Sequence, residues 1–386
     1  MTTGPILITG ARAPVALHMA RLLGSAGHPV ILADTLRRPL GAATRHARYV
    51  RLPSPRFAFE AFGDALTRLI AREGVSLVIP TCEEVFHLAR LWEAREMQAP
   101  LFAPDFARLA EVHSKADFIA LCASLGLAGP ETTVLRSISD LDAVRDRAGG
   151  LVFKPVWSRF AENVLIRPDR RGLDAITPSG AKPWVAQAFV AGGEISVYAV
   201  AHEGRLLTQS AYRSLARAGT GAAVAFAPVE DAAVTDFVAR FVAGTDWTGQ
   251  VSFDLIRQAD GSVLPLECNP RAVSGLHFFR NGPAFLRMLA DGDAVRPDVT
   301  APQGVRLALW VYGLPKAIAS RRIGAFRAAL AETEEVLDWP DDPGAGWAQV
   351  PALAEVMGIA LRRRVSLLAA STEDIEWNGP DQSSIR

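Results

Sequence analysis

Residues 248–271, TGQVSFDLIRQADGSVLPLECNPR, decide the fold. Two runs rich in apolar residues, Thr248–Arg257 and Val263–Asn269, flank the polar turn Gln258–Ser262, which carries Asp-Gly at its tip. Apolar runs joined by a short Asp-Gly turn are typical of an antiparallel hairpin. The sequence therefore predicts two paired strands in this region.

Three side chains with oxygen donors lie on this predicted hairpin. The pairing would bring Asp254 near Glu267, and Glu267 shares a strand face with Asn269 because the two positions are two residues apart. Hard oxygen donors suit Mg²⁺, which keeps its remaining positions for water and phosphate. Two acids on a hairpin are more often a solvated surface, but their neighbours here, VSFDLI and VLPLECNP, are apolar. This pattern favours a metal site.

The N-terminal part of the chain predicts a different unit, at residues 1–112. An apolar run at Ile6–Thr9, an amphipathic stretch at Pro14–Ala26 and a second apolar run at Val30–Ala33 have the order of a βαβ unit in an open parallel sheet. A third buried strand at Val75–Pro80 and a helix at Thr81–Ala94 continue the pattern. We predict a doubly wound, Rossmann-like α/β domain.

The first turn of this domain, GARAP at residues 10–14, superficially resembles a dinucleotide site. It lacks the second and third glycines that allow a pyrophosphate to approach the backbone. A nicotinamide-dependent dehydrogenase is therefore the weakest alternative, and a tight turn facing a substrate cleft is favoured.

The pattern changes near residue 113, and a mixed region extends to about residue 300. A helix is predicted from Ser114-Lys115 through Leu125, together with strands at Leu151–Pro155, Trp184–Val190, Glu194–Ala201, Arg205–Gln209 and Val224–Ala227. Residues 301–386 form a C-terminal extension with an apolar start, helical material from Ile323 to Leu337 and a last helix before Thr372.

Two lysines and one strand in the mixed region are candidate binding residues. Lys115 begins a helix and Lys154 ends an apolar strand, where an ammonium can hold phosphate oxygens; a lysine on the surface is the ordinary alternative for each. The strand from Gln187 to Val190 could be a sheet edge that offers its backbone N–H and C=O groups to adenine, with Glu194 accepting from ribose hydroxyls. The alternative is a half-buried strand with an exposed glutamate.

Composition narrows the class of partner. The chain has 386 residues, 49% of them hydrophobic, and 41 basic residues balance 41 acidic ones. A net charge of zero provides no field that attracts nucleic acid or an anionic membrane, so we expect small-molecule partners instead. The spacings of Cys82, Cys122 and Cys268 fit neither a disulfide framework nor a zinc site. The start MTTGPILITG does not resemble a secretion signal, so a cytoplasmic location is expected.

Six segments in order resemble one known superfamily. They are SKADF, GLAGPET, LVFKP, WVAQAFVAGGEISV, VSFDL and LECNPRAVSG. In this order they are similar to the ATP-grasp superfamily, most nearly its branch containing the carbamoyl-phosphate synthase large subunit and the D-alanine–D-alanine and amino-acid ligases. The resemblance covers the chain to about residue 300. It implies an ATP-grasp domain at 113–300, with a lid at about 113–190, between the N-terminal domain and the C-terminal extension.

The resemblance implies roles for the candidate residues. The positions of Lys115 and Lys154 contact ATP phosphates, and that of Arg271 contacts a phosphate or the substrate carboxylate. The remaining implied contacts are with adenine (Gln187, Ala188, Phe189 and Val190), with ribose (Glu194) and with magnesium (Asp254, Glu267 and Asn269). Two Mg²⁺ ions are expected, for which Mn²⁺ can substitute.

One segment departs from the superfamily's pattern. Where a glycine-rich loop usually follows the second lysine, this chain has VWSRFAENV, without glycine. Ser158 and Arg159 would then act through their side chains, and we expect Arg159 to pair with the γ-phosphate or an acyl phosphate.

The resemblance implies an ATP-dependent carboxylate–amine ligase that acts through an acyl phosphate and releases ADP and phosphate. Two alternatives remain open, a carboxylase-like or kinase-like enzyme and a non-catalytic nucleotide-binding module. The C-terminal extension is expected either to shape the acceptor pocket or to provide an oligomer contact, such as that of a homodimer.

Substrate contacts are expected at the carboxyl ends of the N-terminal strands and beyond the metal strand. Glu83 and Glu84 are candidates for an ammonium group, although acids at a helix N-terminus are stabilised there without any ligand. Arg213 is a candidate for a carboxylate, and Ser274 and His277 lie just past the metal strand. For His277 a structural or phosphate contact is favoured over a role as a base.

Overall fold

A computed structural model describes the chain at residues 4–158, 163–217, 223–319, 321 and 323–379. The first sheet is built from N-terminal strands. Its parallel strands lie in the order β3-β2-β1-β4. They are β1 (Ile6–Thr9), β2 (Val30–Asp34), β3 (Arg48–Arg51) and β4 (Leu77–Ile79). Apolar clusters cover both faces, one with α1 (Pro14–Ser25) and one with α2 (Phe59–Glu73) and α3 (Glu84–Ala94). The predicted doubly wound architecture is confirmed.

Local contacts explain the two turns that face the carboxyl edge of this sheet. Gly10 has φ +80°, and a Cβ there would lie 2.5 Å from Thr81 Oγ1, so only glycine fits. The helix predicted from Thr81 begins later, at Glu84, because Glu84 Oε1 accepts hydrogen bonds from the amides of Thr81 (3.1 Å) and Cys82 (3.2 Å). The turn at Gly10 therefore packs against the turn at Thr81, and both lie at the carboxyl ends of β1 and β4.

A second, smaller sheet follows the helices α4 (Phe106–His113) and α5 (Lys115–Ser124). It is antiparallel, in the order β5-β8-β6-β7. Its strands are β5 (Thr132–Leu135), β6 (Leu151–Pro155), β7 (Leu165–Ile166) and β8 (Trp184–Ala188), accompanied by α6 (Ile138–Val144), a 3₁₀ turn (Arg145–Gly150) and α7 (Arg170–Asp174).

The third sheet carries the hairpin from which the fold was predicted. Its strands lie in the order β13-β12-β9-β10-β11-β14-β15 and pair antiparallel, except for β14 and β15. They are β9 (Gly193–His202), β10 (Arg205–Arg217), β11 (Ala223–Val229), β12 (Gly249–Arg257), β13 (Val263–Asn269), β14 (Gln303–Gly304) and β15 (Glu334–Glu335). Between them lie α8 (Ala232–Gly244), a 3₁₀ turn (Ser274–Phe278) and α9 (Gly282–Asp291).

Helices α5 and α8 fix the hairpin from one side of the third sheet. The ring of Phe253 in β12 packs 4.8 Å from Phe241 of α8 and 6.1 Å from Phe118 of α5, measured between centroids. All three side chains are fully buried. Rings packed this closely resist repacking, so β12 is held firmly relative to α5.

The C-terminal residues form short helices and then return to the first sheet. The helices are α10 (Arg306–Ala308), a π turn (Leu309–Gly313), α11 (Leu314–Ala319), α12 (Ile323–Glu332), α13 (Ala345–Arg363) and α14 (Leu367–Thr372). The predicted helix at 323–337 was too long, because β15 begins at Glu334 and pairs with β14. Within the described ranges, no helix is long and apolar enough to cross a membrane.

Candidate functional site

The β12–β13 hairpin brings its two acidic residues together as predicted. Asp254 pairs directly with Glu267 across the strands, and Ser252 pairs with Asn269. The register is interrupted by a bulge just after Asp254. Because Glu267 and Asn269 lie on one face of β13, oxygen atoms from both strands are presented to the same side of the sheet.

Asp254 is held by a neighbouring strand. Ser196 Oγ in β9 donates to Asp254 Oδ1 at 2.6 Å. Burial, followed by the charge of Glu267, raises the pKa of Asp254 above its ordinary value. Two facing carboxylates without a cation between them are repulsive, and a divalent cation would relieve that repulsion.

The donor set fits magnesium. Across the part of the chain that is described, no cluster of at least three His, Cys, Asp or Glu side chains is arranged to hold a metal ion. Magnesium does not require such a cage, because it binds one or two carboxylates and takes its other ligands from water and nucleotide phosphates. Asp254, Glu267 and the amide oxygen of Asn269 match that requirement.

Both candidate lysines are buried beside these acids, so the surface alternative is wrong for each. Lys115 is 2% exposed; its Nζ donates to the carbonyl of Ser158 at 2.8 Å and lies 3.5 Å from Glu267 Oε2. Lys154 is 6% exposed, and its Nζ donates to the carbonyl of Leu266 at 3.0 Å. Burial, followed by the charge of Lys115, lowers the pKa of Lys154 to about 8. Two ammonium groups held this close together create a strong anion site.

Arg271 extends the positive side of the site. Its Nη2 donates to Asn269 Oδ1 at 3.2 Å, and its backbone N–H donates to the carbonyl of Asn269 at 2.8 Å. Ser252 Oγ donates to the carbonyls of Asn269 (3.0 Å) and Arg271 (3.2 Å). The turn after β13 is therefore fixed by its own hydrogen bonds, which orient Asn269 and Arg271 together.

The predicted adenine strand is placed differently from the expectation. It does not form a sheet edge, since β8 lies between β5 and β6. Gln187 is buried and its Nε2 donates to Thr132 Oγ1 at 3.0 Å. The N–H groups of Ala188 and Phe189 already donate to the carbonyls of Glu131 (2.8 Å) and Gly150 (2.9 Å). Adenine recognition here would have to use carbonyls and the N–H of Val190.

Glu194 and Arg213 lie on neighbouring strands of the third sheet. Glu194 is the second residue of β9 and pairs with Ile256 of β12; its side chain is 61% exposed and forms an ion pair with Arg217. Arg213 is exposed on β10. Arg159, predicted to replace the glycine loop, lies outside the described residues.

The other predicted substrate contacts are mostly structural. Glu84 is buried, and Thr9 Oγ1 donates to its Oε1 at 2.6 Å, so this carboxylate links β1 to the turn before α3. Glu83 is buried beside it. Ser274 begins the 3₁₀ turn that follows β13. His277 packs edge-on against His18 at 4.7 Å, and burial lowers its pKa to about 3. A core position explains His277 better than phosphate binding does.

Sequence reasoning missed several residues of this region. Ser196 positions Asp254 through its hydrogen bond, yet a single serine on a strand gives no sequence signal. Arg12 was passed over within the GARAP turn. Its guanidinium joins Asp34 of β2 to Asp374 near the C-terminus, with N–O distances of 2.6 Å to each. Spacing on the hairpin was sufficient to find Asp254, Glu267 and Asn269.

The three sheets have the arrangement of the ATP-grasp fold, which solved structures share. An L-amino acid ligase from Bacillus licheniformis aligns with TM-score 0.59 and 17% identity over 75% of each chain. An N5-carboxyaminoimidazole synthetase from Staphylococcus aureus aligns with TM-score 0.61 and 11% identity over 81% of this chain and 85% of its own.

A biotin carboxylase domain of 2-oxoglutarate carboxylase from Hydrogenobacter thermophilus, a dimer bound to MgADP and bicarbonate, aligns with TM-score 0.59 and 12% identity over 78% of this chain and 74% of its own. No protein-family model matches the sequence, and none of the curated proteins matches it. At these identities the likeness establishes the fold.

Proposed function

We propose that the protein is an ATP-dependent ligase that activates a carboxylate as an acyl phosphate and transfers the acyl group to an amine. The observation that carries the proposal is the convergence of two buried ammonium groups, Lys115 and Lys154, on the facing carboxylates of Asp254 and Glu267. Buried charges of both signs are costly to fold and are typically retained at functional sites. Two of the structurally similar proteins, by name a ligase and a synthetase, have the same fold.

The residues divide into roles. Asp254, Glu267 and Asn269 would hold magnesium, which neutralises phosphate charge when bound. Lys154 and Lys115 would hold phosphate oxygens. Arg271 would contact the transferring phosphoryl group or the substrate carboxylate. Gln187 through Val190 would face adenine and Glu194 the ribose. Arg159 remains a candidate residue for pairing with the γ-phosphate or the acyl phosphate.

The bond changes are simple. A carboxylate oxygen forms a bond to the γ-phosphorus while the bond between that phosphorus and the β-phosphate oxygen breaks, and ADP leaves. An amine then forms a bond to the acyl carbon, loses a proton and displaces phosphate. The acyl phosphate reacts with water, so residues 113–190 are proposed to act as a lid that excludes it. We propose that this chemistry takes place in the cytoplasm.

Trapping with hydroxylamine tests the function. Purified protein is incubated with MgATP and a library of carboxylates, with and without amines, while ADP release is measured. Hydroxylamine added in place of the amine should yield a hydroxamate with the same carboxylates that release ADP. ADP release without hydroxamate would favour the carboxylase-like or kinase-like alternative, and no ADP release with any carboxylate would favour a non-catalytic nucleotide-binding module.

We also propose that the protein forms a homodimer through α13. One face of this helix carries exposed apolar side chains at a spacing of three and four residues, including Trp347 (80% exposed) and Leu361 (82% exposed). The members between them are Val350, Leu353 and Met357. This is the spacing of a helix–helix seam, and a patch of this kind marks an interaction surface.

The charges at the two ends of α13 favour a second copy as the partner. The helix ends in the exposed run Arg362–Arg364, while Asp338 is exposed in the segment before it. In an antiparallel pair of α13 helices, the basic end of one copy would lie near the acidic segment of the other. The biotin carboxylase domain with a similar fold is itself described as a dimer.

Sedimentation velocity provides the measurement for this interface. The unchanged protein should sediment as a dimer at micromolar concentration, and Trp347→Glu together with Leu361→Glu should give a monomer with unchanged circular dichroism. Exposed Leu215→Glu serves as a matched control because it lies on β10, away from this helix. A monomer before substitution, or a dimer that survives it, would refute this interface.

A further inference from the structure

The C-terminal segment 371–379, here called the strap, lies across the carboxyl ends of β1 and β2. Arg12 Nη1 donates to the carbonyl of Ser371 at 2.8 Å, and Ser54 Oγ donates to the carbonyl of Asp374 at 2.6 Å. Further along, Trp377 stacks on Phe86 of α3 with centroids 4.8 Å apart. Ligands of open α/β sheets bind at this edge, so the strap covers the place where a ligand is expected.

At the centre of the strap, the Asp374 carboxylate is bound in the way a ligand carboxylate would be. Arg12 Nη1 donates to Asp374 Oδ1 at 2.6 Å, and Arg12 Nη2 donates to Asp374 Oδ2 at 2.9 Å. The Thr35 hydroxyl also donates to Asp374 Oδ2. Two parallel bonds from a guanidinium to both oxygens of a carboxylate are the geometry by which proteins recognise carboxylate ligands.

The guanidinium of Arg12 is positioned without the strap. Asp34, at the end of β2, accepts from Arg12 Nη2 at 2.6 Å and from the Arg12 backbone N–H at 2.8 Å. Burial lowers the pKa of Arg12, but Asp34 and Asp374 outweigh it and the pKa is raised. If the Asp374 carboxylate were removed, the Arg12 guanidinium would therefore stay charged and bound to Asp34, and the N–H groups that donate to Asp374 would lose their acceptor.

A second polar group lies behind the strap. Ile375 lines a cavity of about 20 Å³, enough for roughly one water, together with Thr9, Asp34 and Glu84. Glu84 is 3% exposed, and its Oε2 has no hydrogen-bond partner among the described residues. An unpartnered buried acceptor is costly and would accept from an ammonium or hydroxyl group. Displacement of Ile375 would open this acceptor to the same crevice.

We propose that the fork of Arg12 and Thr35 binds the carboxylate of a small amino- or hydroxy-carboxylate ligand, and that Asp374 of the strap occupies it in this structure. The ligand's ammonium or hydroxyl group would face Glu84. That this ligand is a substrate rests on the proposed function. That the fork of Arg12 and Thr35 binds a carboxylate is independent of the proposed function.

The strap and the ligand compete for one guanidinium. Asp374 is attached to the chain and competes at a local concentration on the order of millimolar or higher. A simple carboxylate should therefore fail to displace it, while a ligand with additional contacts to Glu84 would shift the population to the open strap. Removal of the Asp374 carboxylate should make the fork accessible to a simple carboxylate.

Chemical rescue by acetate tests the proposal without nucleotide. Asp374→Ala should melt below the unchanged protein, and 100 mM sodium acetate should raise its melting temperature by about 2 °C more than sodium chloride of equal ionic strength, because the ligand binds only folded protein. The unchanged protein and the double variant Asp374→Ala, Arg12→Gln should show no acetate-specific shift. Equal acetate shifts in all three proteins, or none in Asp374→Ala, would overturn the proposal.

A second variant covers the case in which Asp374→Ala does not fold. Asp374→Asn keeps the shape of the side chain and removes its charge, so acetate should compete with the weakened strap. Hydrogen exchange of residues 371–379 should accelerate at least threefold with acetate in this variant and remain unchanged with chloride. Exchange that acetate does not alter would overturn the proposal. If acetate rescues the variant but the protein releases no ADP with any carboxylate, the carboxylate site stands and only the ligase function is refuted.

Discussion

Replacement of Glu267 by glutamine is expected to lower ATP turnover about a hundredfold or more while the fold survives. The carboxylate lies opposite Asp254 on the hairpin and 3.5 Å from Lys115 Nζ, where it can bind magnesium. The amide keeps the shape and removes the charge. Loss of one preorganised charge at a phosphoryl transition state commonly costs about 3 kcal/mol, which corresponds to that factor in rate. Nucleotide affinity should fall less, because the contacts to adenine and ribose remain.

Turnover and melting temperature should be measured on the same preparation of Glu267→Gln. Glu60→Gln is the matched control, because the Glu60 side chain is 81% exposed and forms an ion pair with Arg95 on the surface. If Glu267 merely held Lys115 in place, the substitution would lower the melting temperature and leave the rate per folded molecule unchanged. A stable variant with normal turnover would remove Glu267 from the metal site.

Lys154→Met is expected to reduce ATP turnover by about 10²-fold, since an ammonium group held against a transferring phosphoryl group contributes on that scale. The same substitution should leave stability unchanged or higher. Burial of Lys154 lowers its pKa to about 8, so the folded protein carries the cost of that buried charge, and methionine removes it at similar volume.

For Lys154→Met, ATP turnover should therefore fall while the melting temperature stays the same or rises. Lys182→Met provides the control, because Lys182 is exposed in the turn before β8. Steady-state ADP release and thermal melting measure the effects. A variant with lower stability and unaltered turnover per folded molecule would mean that Lys154 supports the sheet through its bond to the carbonyl of Leu266 and has no part in the chemistry.

Local patterns were sufficient to predict the central hairpin and the first βαβ unit. Strands β12 and β13 are rich in apolar residues and are joined by an Asp-Gly turn, so both their existence and the pairing of Asp254 with Glu267 followed from the sequence. The burial of Lys115 and Lys154 did not follow, because a lysine pattern on its own favours the surface.

Features set by tertiary contacts could not be predicted. The position of β8 inside its sheet depends on β5, whose strand signal at Thr132–Leu135 is too short to recognise. The bond between Arg12 and Asp374 spans 362 positions, so neither residue alone indicates the other. The helix predicted at residues 323–337 was too long, because pairing of β15 with β14 outweighs helix propensity at Glu334.

Titration calorimetry with a non-hydrolysable ATP analogue tests the central claim, that the buried lysines and the hairpin acids together form a magnesium–nucleotide site. With excess Mg²⁺, the unchanged protein should bind one analogue molecule per chain, and chelation of the metal should weaken binding at least tenfold. Mn²⁺ should restore the affinity, and Glu267→Gln should lose most of the dependence on metal. Absence of binding at millimolar analogue with Mg²⁺, or equal affinity with and without the metal, would contradict the account.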